Sequence, residues 1–213
     1  MARSAEKALL RGELLEERRR LPFEEVRKLS SMAEKRFLST GFYRESRRIA
    51  LYSSFGNEVL TDEIFAAAMR DGKEVFYPRI VRPGGVECGF ENTRLLRFFR
   101  VWSLDELSAG SYELREPHAG NQASDASGLD LIVVPGVAFD EQGGRLGFGK
   151  GYYDAALASA GCPKIALAYE FQVVKVNIPL EPHDVPVSAI VTEKRIIVTK
   201  ASGGAQKGGA RRV

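Results

Sequence analysis

The sequence is poor in cysteine, histidine, long apolar runs and net charge. Only Cys88 and Cys162 occur in 213 residues, too few for a disulfide framework or a cysteine-built zinc site; both read as buried thiols, as in a reducing cytosol. His118 and His183 stand far apart without metal-ligand spacing, so zinc is not expected, and no Ser-His-Asp or Cys-His arrangement emerges. The longest apolar runs, such as Leu131–Val134, fall far short of the roughly 20 residues that cross a bilayer, and residues 1–21 are too charged for a secretory signal. A cytoplasmic protein without a membrane partner is expected. The 31 Lys and Arg against 28 Asp and Glu leave +3, and Lys207, Arg211 and Arg212 account for it, since residues 201–213 contain no acid. The rest of the chain is formally neutral. Nucleic acid is therefore not an expected partner, because three tail cations make only a short, salt-sensitive footprint.

What is present suits a packed body. The chain is 44% hydrophobic and 28% charged, with 12 Phe and 7 Tyr, which excludes global disorder and rod-like folds. At about 150 residues per domain the length points to one domain, expected over residues 1–200, followed by a disordered basic tail over 201–213. No internal repeat is found.

Residues 4–20 place Leu10, Leu14 and Leu15 on one side of a helix, with Lys7 and Arg11 four apart on a neighbouring strip. The run Arg18-Arg19-Arg20 reads as its exposed end, where cations oppose the negative end of the helix dipole. A second helix carries Val26, Leu29, Met32 and Phe37 inward and stops at Gly41. Arg48 to Ser53 is strand-like, Thr61 caps a helix ending at Gly72, and Glu74 to Tyr77 is a strand stopped by Pro78; together they form a β-α-β unit. Leu95 to Trp102 reads as a strand, Ser103 and Glu106 as a capping box, and residues 109–128 as mostly loop. The aliphatic run Leu131–Val134 is typical of a strand covered on both faces and central in its sheet. A helix at Tyr152–Ser159 and short strands at 164–168, 190–191 and 195–198 complete the pattern. The fold class expected is α/β: a single domain whose central, mostly parallel or mixed sheet is flanked by helices on both faces.

The segment Asp140–Asp154 concentrates the chemistry. Its five glycines allow backbone N–H groups to approach a ligand closely, and Arg145 and Lys150 add charge, so a phosphate site is the natural expectation. Gly144, Gly149 and Lys150 nearly complete a P-loop pattern, but Gly151 stands where a hydroxyl should bind magnesium. A usual P-loop fold is thus disfavoured, and a magnesium ion would need carboxylates such as Asp154 or Asp184. A plain flexible hairpin is the competing reading.

The string DLIVVPGVAFDEQGGRLGFGKGYYD, Asp130 to Asp154, resembles the signature of the 5-formyltetrahydrofolate cyclo-ligases, also called methenyltetrahydrofolate synthetases. Lys7-Ala8-Leu9-Leu10-Arg11 is similar to that family's N-terminal nucleotide contact, YSSFGNEV (Tyr52 to Val59) to its substrate loop, and EPHDVPVSAIVTE (Glu181 to Glu193) to its closing segment. The resemblance implies an enzyme that uses ATP and Mg2+ to convert 5-formyltetrahydrofolate to 5,10-methenyltetrahydrofolate, releasing ADP and phosphate. By that likeness Lys150 and Arg145 are catalytic. ATP contacts are Lys7, Ala8, Leu9, Leu10 and Arg11 from the first helix, with Arg145, Leu146, Gly147, Phe148, Gly149, Lys150, Gly151, Tyr152 and Tyr153. The folate is held by Phe55, Glu58 and Tyr112 together with Phe148, Gly149, Lys150, Gly151 and Tyr152, and the metal by Asp154 and Asp184. The partners implied are the folate and ATP alone, in a monomer or weak homodimer. Two positions depart from the family pattern: Leu60 stands where an acid is common, and Phe148 where arginine or tyrosine is. They motivate an alternative, a non-catalytic folate- or nucleotide-binding paralogue of the same fold.

Overall fold

A computed structural model describes residues 2–81, 95–110, 114–149 and 151–200. Cys88, Tyr112, Lys150 and the tail beyond 200 lie outside the described residues. Three helices come first, α1 (Ala2–Arg19), α2 (Phe23–Leu38) and α3 (Gly41–Glu45), then β1 (Arg48–Ala50), α4 (Asp62–Arg70), β2 (Glu74–Val81) and β3 (Leu95–Val101). The short strands β4 (Ser108–Ala109), β5 (Arg115–Glu116) and β6 (Ala123–Ser124) lead to β7 (Leu131–Val134), β8 (Ala138–Asp140) and β9 (Arg145–Leu146). The chain ends through α5 (Tyr152–Leu157), β10 (Lys164–Leu167), β11 (Val173–Val174), β12 (Ala189–Val191) and β13 (Ile196–Val198).

Eight strands form one mixed sheet in the order β13-β12-β10-β7-β1-β2-β3-β6. The centre, from β12 to β2, is parallel, and the marginal pairs β12–β13, β2–β3 and β3–β6 are antiparallel. The alternation of a strand divides the core in two. On one face Ile49, Val75, Leu131, Val133, Ile165 and Leu167 pack against α2 and α4 through Ala33, Phe37, Ile64 and Ala68. On the other, Ala50, Phe76, Ile132, Val134 and Ala166 pack against Leu157 of α5. All four residues of β7 are buried, as a strand covered on both faces requires. The α/β class, the helices on both faces and the central place of β7 follow the sequence reading.

Crossovers leave the middle of this sheet in opposite directions. From β1 the chain moves to β2 on one side, and from β7 to β10 and then β12 on the other. The carboxyl ends of β1 and β7 therefore open a crevice between diverging connections, which is where open α/β sheets place their ligands.

Several local expectations need correction. Gly41 does not stop α2; it opens α3, whose N-cap Thr40 accepts a hydrogen bond from the Tyr43 N–H at 3.2 Å. Three helices, not two, thus precede β1. Met32 points away from the buried stripe of α2 and is 42% exposed. Thr61 precedes α4 but its hydroxyl donates to the Tyr52 carbonyl at 2.9 Å. The buried Glu34 carboxylate of α2 serves that helix end instead, accepting from the N–H groups of Glu63 and Ile64 at 2.9 and 3.3 Å. Pro78 does not end β2, because it lies beyond the last register pair with β1, Ala50↔Phe76, where a missing N–H costs no ladder bond on that side. Cys162 is only partly buried, and burial pushes its thiol pKa up.

Candidate active site

A cavity of about 770 Å³ opens at the carboxyl ends of β1 and β7. Its floor comes from the segments that follow these strands, with Tyr52, Ser53, Phe55 and Glu58 after β1 and Pro135 and Gly136 after β7. The glycine-rich segment and the start of α5 form one wall, through Arg145, Leu146, Gly147, Phe148, Gly149 and Gly151, then Tyr152, Tyr153 and Asp154. Lys7, Ala8 and Arg11 of α1 reach in from one side and Glu181, His183 and Asp184 from another. Sequence positions about 180 residues apart therefore meet.

Local physics explains how the glycine-rich segment is shaped. Asp140 is 2% exposed and accepts from Gln142 N at 2.9 Å and Gly144 N at 2.8 Å through Oδ1, and from Ile178 N at 2.7 Å through Oδ2. It clamps a tight hairpin between β8 and β9. A Cβ on Gly143 would stand 2.7 Å from the Val187 carbonyl oxygen, and one on Gly144 would lie 2.9 Å from Asp140 Cγ. Those two glycines serve the hairpin, so Gly144 does not belong to a phosphate cradle and the P-loop likeness ends there. Gly149 and Gly151, at φ +84° and +70°, line the cavity instead, in the left-handed region that glycine enters without strain.

Charges gather on the same side. Arg145 Nη2 donates to Asp154 Oδ1 at 2.8 Å, with the arginine side chain 5% exposed. Val185 N donates to the same oxygen at 3.2 Å, so both contacts leave Asp154 Oδ2 aside. Arg145 Nε is buried and has no hydrogen-bond partner among the described residues, an unmet donor beside the cavity that suits an anionic ligand. Arg11 Nε donates to the Gly147 carbonyl at 2.9 Å, tying α1 to the glycine-rich wall. Lys7 Nζ lies 3.6 Å from both Glu181 and Asp184. Among the described residues no three His, Cys, Asp or Glu side chains cluster to hold a metal. Asp154 and Asp184 both line the cavity, each paired with a cation, Arg145 and Lys7; magnesium is commonly held by one or two carboxylates and completed by water and substrate phosphates.

The aromatic side carries Phe55 and Phe148, 38% and 46% exposed, with Tyr52 and Tyr152 beside them. Glu58 is buried, and burial pushes its carboxyl up to about 7 against the opposing effects of Arg18 and the Phe55 N–H. Two expected nucleotide contacts are not brought to the cavity. Leu10 packs with Leu14, Val137 and Leu146, and Leu9 is 66% exposed. Helix geometry sends Lys7, Ala8 and Arg11 inward and turns these two away. The largest omission of the sequence reading is Arg18, read as an exposed helix end yet 3% exposed beneath the cavity and paired with Glu58. Its spacing of seven from Arg11 was the available signal. The cavity also extends past β2 to Leu114, Arg115 and Glu116, within a stretch read as mostly loop.

The profile of the 5-formyltetrahydrofolate cyclo-ligase family matches residues 3–193. The chain belongs to that family. Its 5-formyltetrahydrofolate cyclo-ligase relative from Mus musculus is 31% identical over 193 residues, covering 86% of this chain and 92% of the relative. The Saccharomyces cerevisiae relative of the same name is 37% identical over 161 residues, covering 68% and 75%. The solved structure of Aquifex aeolicus 5,10-methenyltetrahydrofolate synthetase superposes with a TM-score of 0.76 at 32% identity, covering 97% of this chain and 96% of that one. All cavity residues, from Lys7 to Asp184, fall inside the cyclo-ligase match. Of the two departures from the family pattern, Leu60 is off the cavity wall and its N–H donates to Ser30 Oγ at 3.0 Å, whereas Phe148 is on it. No helix among the described residues is long and apolar enough to cross a membrane.

Proposed function

We propose that this chain converts 5-formyltetrahydrofolate to 5,10-methenyltetrahydrofolate at the expense of ATP, as a cytosolic monomer or weak homodimer. The observation that carries the reading is a single cavity with a cationic side, Lys7, Arg11 and Arg145, continuous with an aromatic side around Phe55 and Phe148. A triphosphate suits the first and a pterin with its benzoyl ring the second.

An N-formyl oxygen is a poor leaving group. Transfer of the γ-phosphoryl to it releases ADP and creates a good one; the neighbouring aniline nitrogen then attacks the formyl carbon, and phosphate departs with the former formyl oxygen. Such transfer depends on positioning and charge neutralisation more than on covalent participation by the protein. Arg145 supplies charge from the wall, where its unmet Nε and its exchangeable contact with Asp154 permit a change of partner on binding. Lys150 is assigned the companion role on the likeness of the surrounding motif. Asp154 and Asp184 would hold Mg2+, which supplies charge neutralisation on the phosphates. Gly147, Gly149 and Gly151 let the backbone approach the nucleotide, Tyr152 and Tyr153 border it, and Glu58 anchors polar edges of the pterin beside Phe55.

Purified protein incubated with ATP, Mg2+ and 5-formyltetrahydrofolate should develop the absorbance of the methenyl product, and omitting ATP should abolish it. Folate binding with no product under full conditions favours the alternative, a non-catalytic paralogue, for which Phe148 on the cavity wall is the supporting observation.

A further inference from the structure

Arg18 stands out among the charged groups not yet given a role. It lies in the last turn of α1, where its neighbours Arg19 and Arg20 are 72% and 76% exposed and pair with Glu16 in solvent. Arg18 is instead 3% exposed. Its Nη1 lies 3.8 Å from Glu58 Oε1 and donates to the Gly136 carbonyl at 3.4 Å, while its Nε is buried without a partner among the described residues. The Phe148 ring covers it, with the guanidinium carbon 5.6 Å from the ring centroid. Burying a guanidinium with an unmet donor is costly, and an apolar side chain of similar volume would serve packing better. The placement therefore calls for a reason other than stability.

Glu58 provides that reason. Its Oε2 accepts from Phe55 N at 3.0 Å, its other oxygen faces Arg18, and the residue lines the cavity while Arg18 does not. Asn57 next to it donates to the carbonyls of Arg18 and Leu21 at 3.1 and 3.0 Å, so the end of α1 and this loop are held as one unit. We propose that Arg18 is a positioning residue for the folate: from below the cavity it keeps the Glu58 carboxylate oriented and charged, as an acceptor for the paired N–H donors of the pterin edge. The proposal rests on the cyclo-ligase reading and extends it to a residue that touches neither substrate.

The charge state of Glu58 is what Arg18 governs. Burial raises its carboxyl to about 7, and Arg18 is the largest influence in the opposite direction, followed by the Phe55 N–H. The other titratable groups coupled to Glu58 are the phenols of Tyr52, Tyr153 of α5 and Tyr169, each of which the Glu58 charge pushes up. Burial raises all three further above neutrality, so they stay protonated while Glu58 titrates. Loss of the Arg18 charge thus moves Glu58 toward its neutral form at physiological pH.

The test is the pH profile of kcat/KM for 5-formyltetrahydrofolate between about pH 6 and 9, in wild type, Arg18→Met, Arg18→Lys and Glu58→Gln. Wild type should show an acidic limb near pH 7. In Arg18→Met the limb should move up by about one unit or more, a loss of about tenfold at neutral pH, expressed in KM for the folate with KM for ATP within about twofold. Arg18→Lys should restore the wild-type limb, and Glu58→Gln should abolish it. If Arg18→Met does not fold, Arg18→Gln keeps a donor for Gly136 without the charge and takes its place. An unmoved limb in the folded neutral variant, or an equal loss of kcat at every pH, overturns the proposal. Equilibrium binding of 5-formyltetrahydrofolate over the same pH range repeats the test without turnover. Absence of product from wild type would therefore remove the cyclo-ligase reading while the binding profile still decided the role of Arg18.

Discussion

Residues 140–144 and 147–151 look alike on paper, each rich in glycine with a charged residue nearby, yet the folded chain uses them differently. The first stretch is a hairpin wound around the buried Asp140, and its glycines are required because backbone and carboxylate leave no room for a Cβ. The second borders the cavity through its glycines, which meet no backbone among the described residues: a Cβ on Gly147 would have the flexible Arg145 Nη1 at 3.2 Å, Gly149 has only Arg11 within ordinary contact, and Gly151 has nothing within 4 Å. Glycine in the first is a packing requirement; in the second it is a conformational one that keeps a wall open to ligand.

Substitutions can sharpen or erase this contrast. The largest effect is expected for Asp140→Ala, which strips the N–H groups of Gln142, Gly144 and Ile178 of their buried acceptor. A loss of about 3 kcal/mol or more in chemical denaturation is expected, with activity falling as the fold does. Gly144→Ala comes next, since its Cβ would crowd Asp140 Cγ at 2.9 Å; a cost of about 2 kcal/mol should appear as a lower denaturation midpoint. Gly149→Ala should cost only about 1 kcal/mol, from its positive φ, yet reduce turnover well beyond that loss, as steady-state rates on the folded variant would reveal. Equal destabilisation by Gly144→Ala and Gly149→Ala would dissolve the distinction between the two stretches.

The smallest effect concerns another buried carboxylate that binds backbone N–H groups. Glu34 is raised to about 8 from an ordinary 4.5, first by burial, against the N–H of Ile64. A raised carboxyl binds its proton more tightly in the folded state than in the unfolded one. Its contribution to stability is therefore full below the unfolded value and declines as pH rises from about 4.5 to about 8. Glu34→Gln keeps the Oε1 acceptor for α4, so it should change stability by under about 1 kcal/mol at the acidic end of that window. It should also flatten the slope across the window, as melting temperatures at several pH values would record.

How much was legible in the sequence follows from which interactions are local. β7 could be read because four aliphatic residues in a row need cover on both faces, and Lys7 with Arg11 because four-residue spacing puts side chains on one side of a helix. The Asp130–Asp154 string carried the family likeness. What escaped depends on residues distant in the chain. Arg18 looked like a solvated helix end because its partners, Glu58 and Gly136, are supplied by loops after two different strands. Glu34 replaced Thr61 at the start of α4 through a contact between helices. Gly144 looked like a phosphate glycine because its crowding by Asp140 exists only once the hairpin closes.

Helix α1 is fastened apart from the two main layers of the core, through Leu14 with Val137, Ala138, Leu146 and Ile178, yet it delivers Lys7 and Arg11 to the cavity and Arg18 beneath it. These cations arrive or depart as a set, because undocking one helix withdraws all of them together. On the proposed roles of these residues, catalytic competence is coupled to a satellite seam rather than to the sheet itself, and amide exchange along α1 should then track the fraction of molecules ready for turnover.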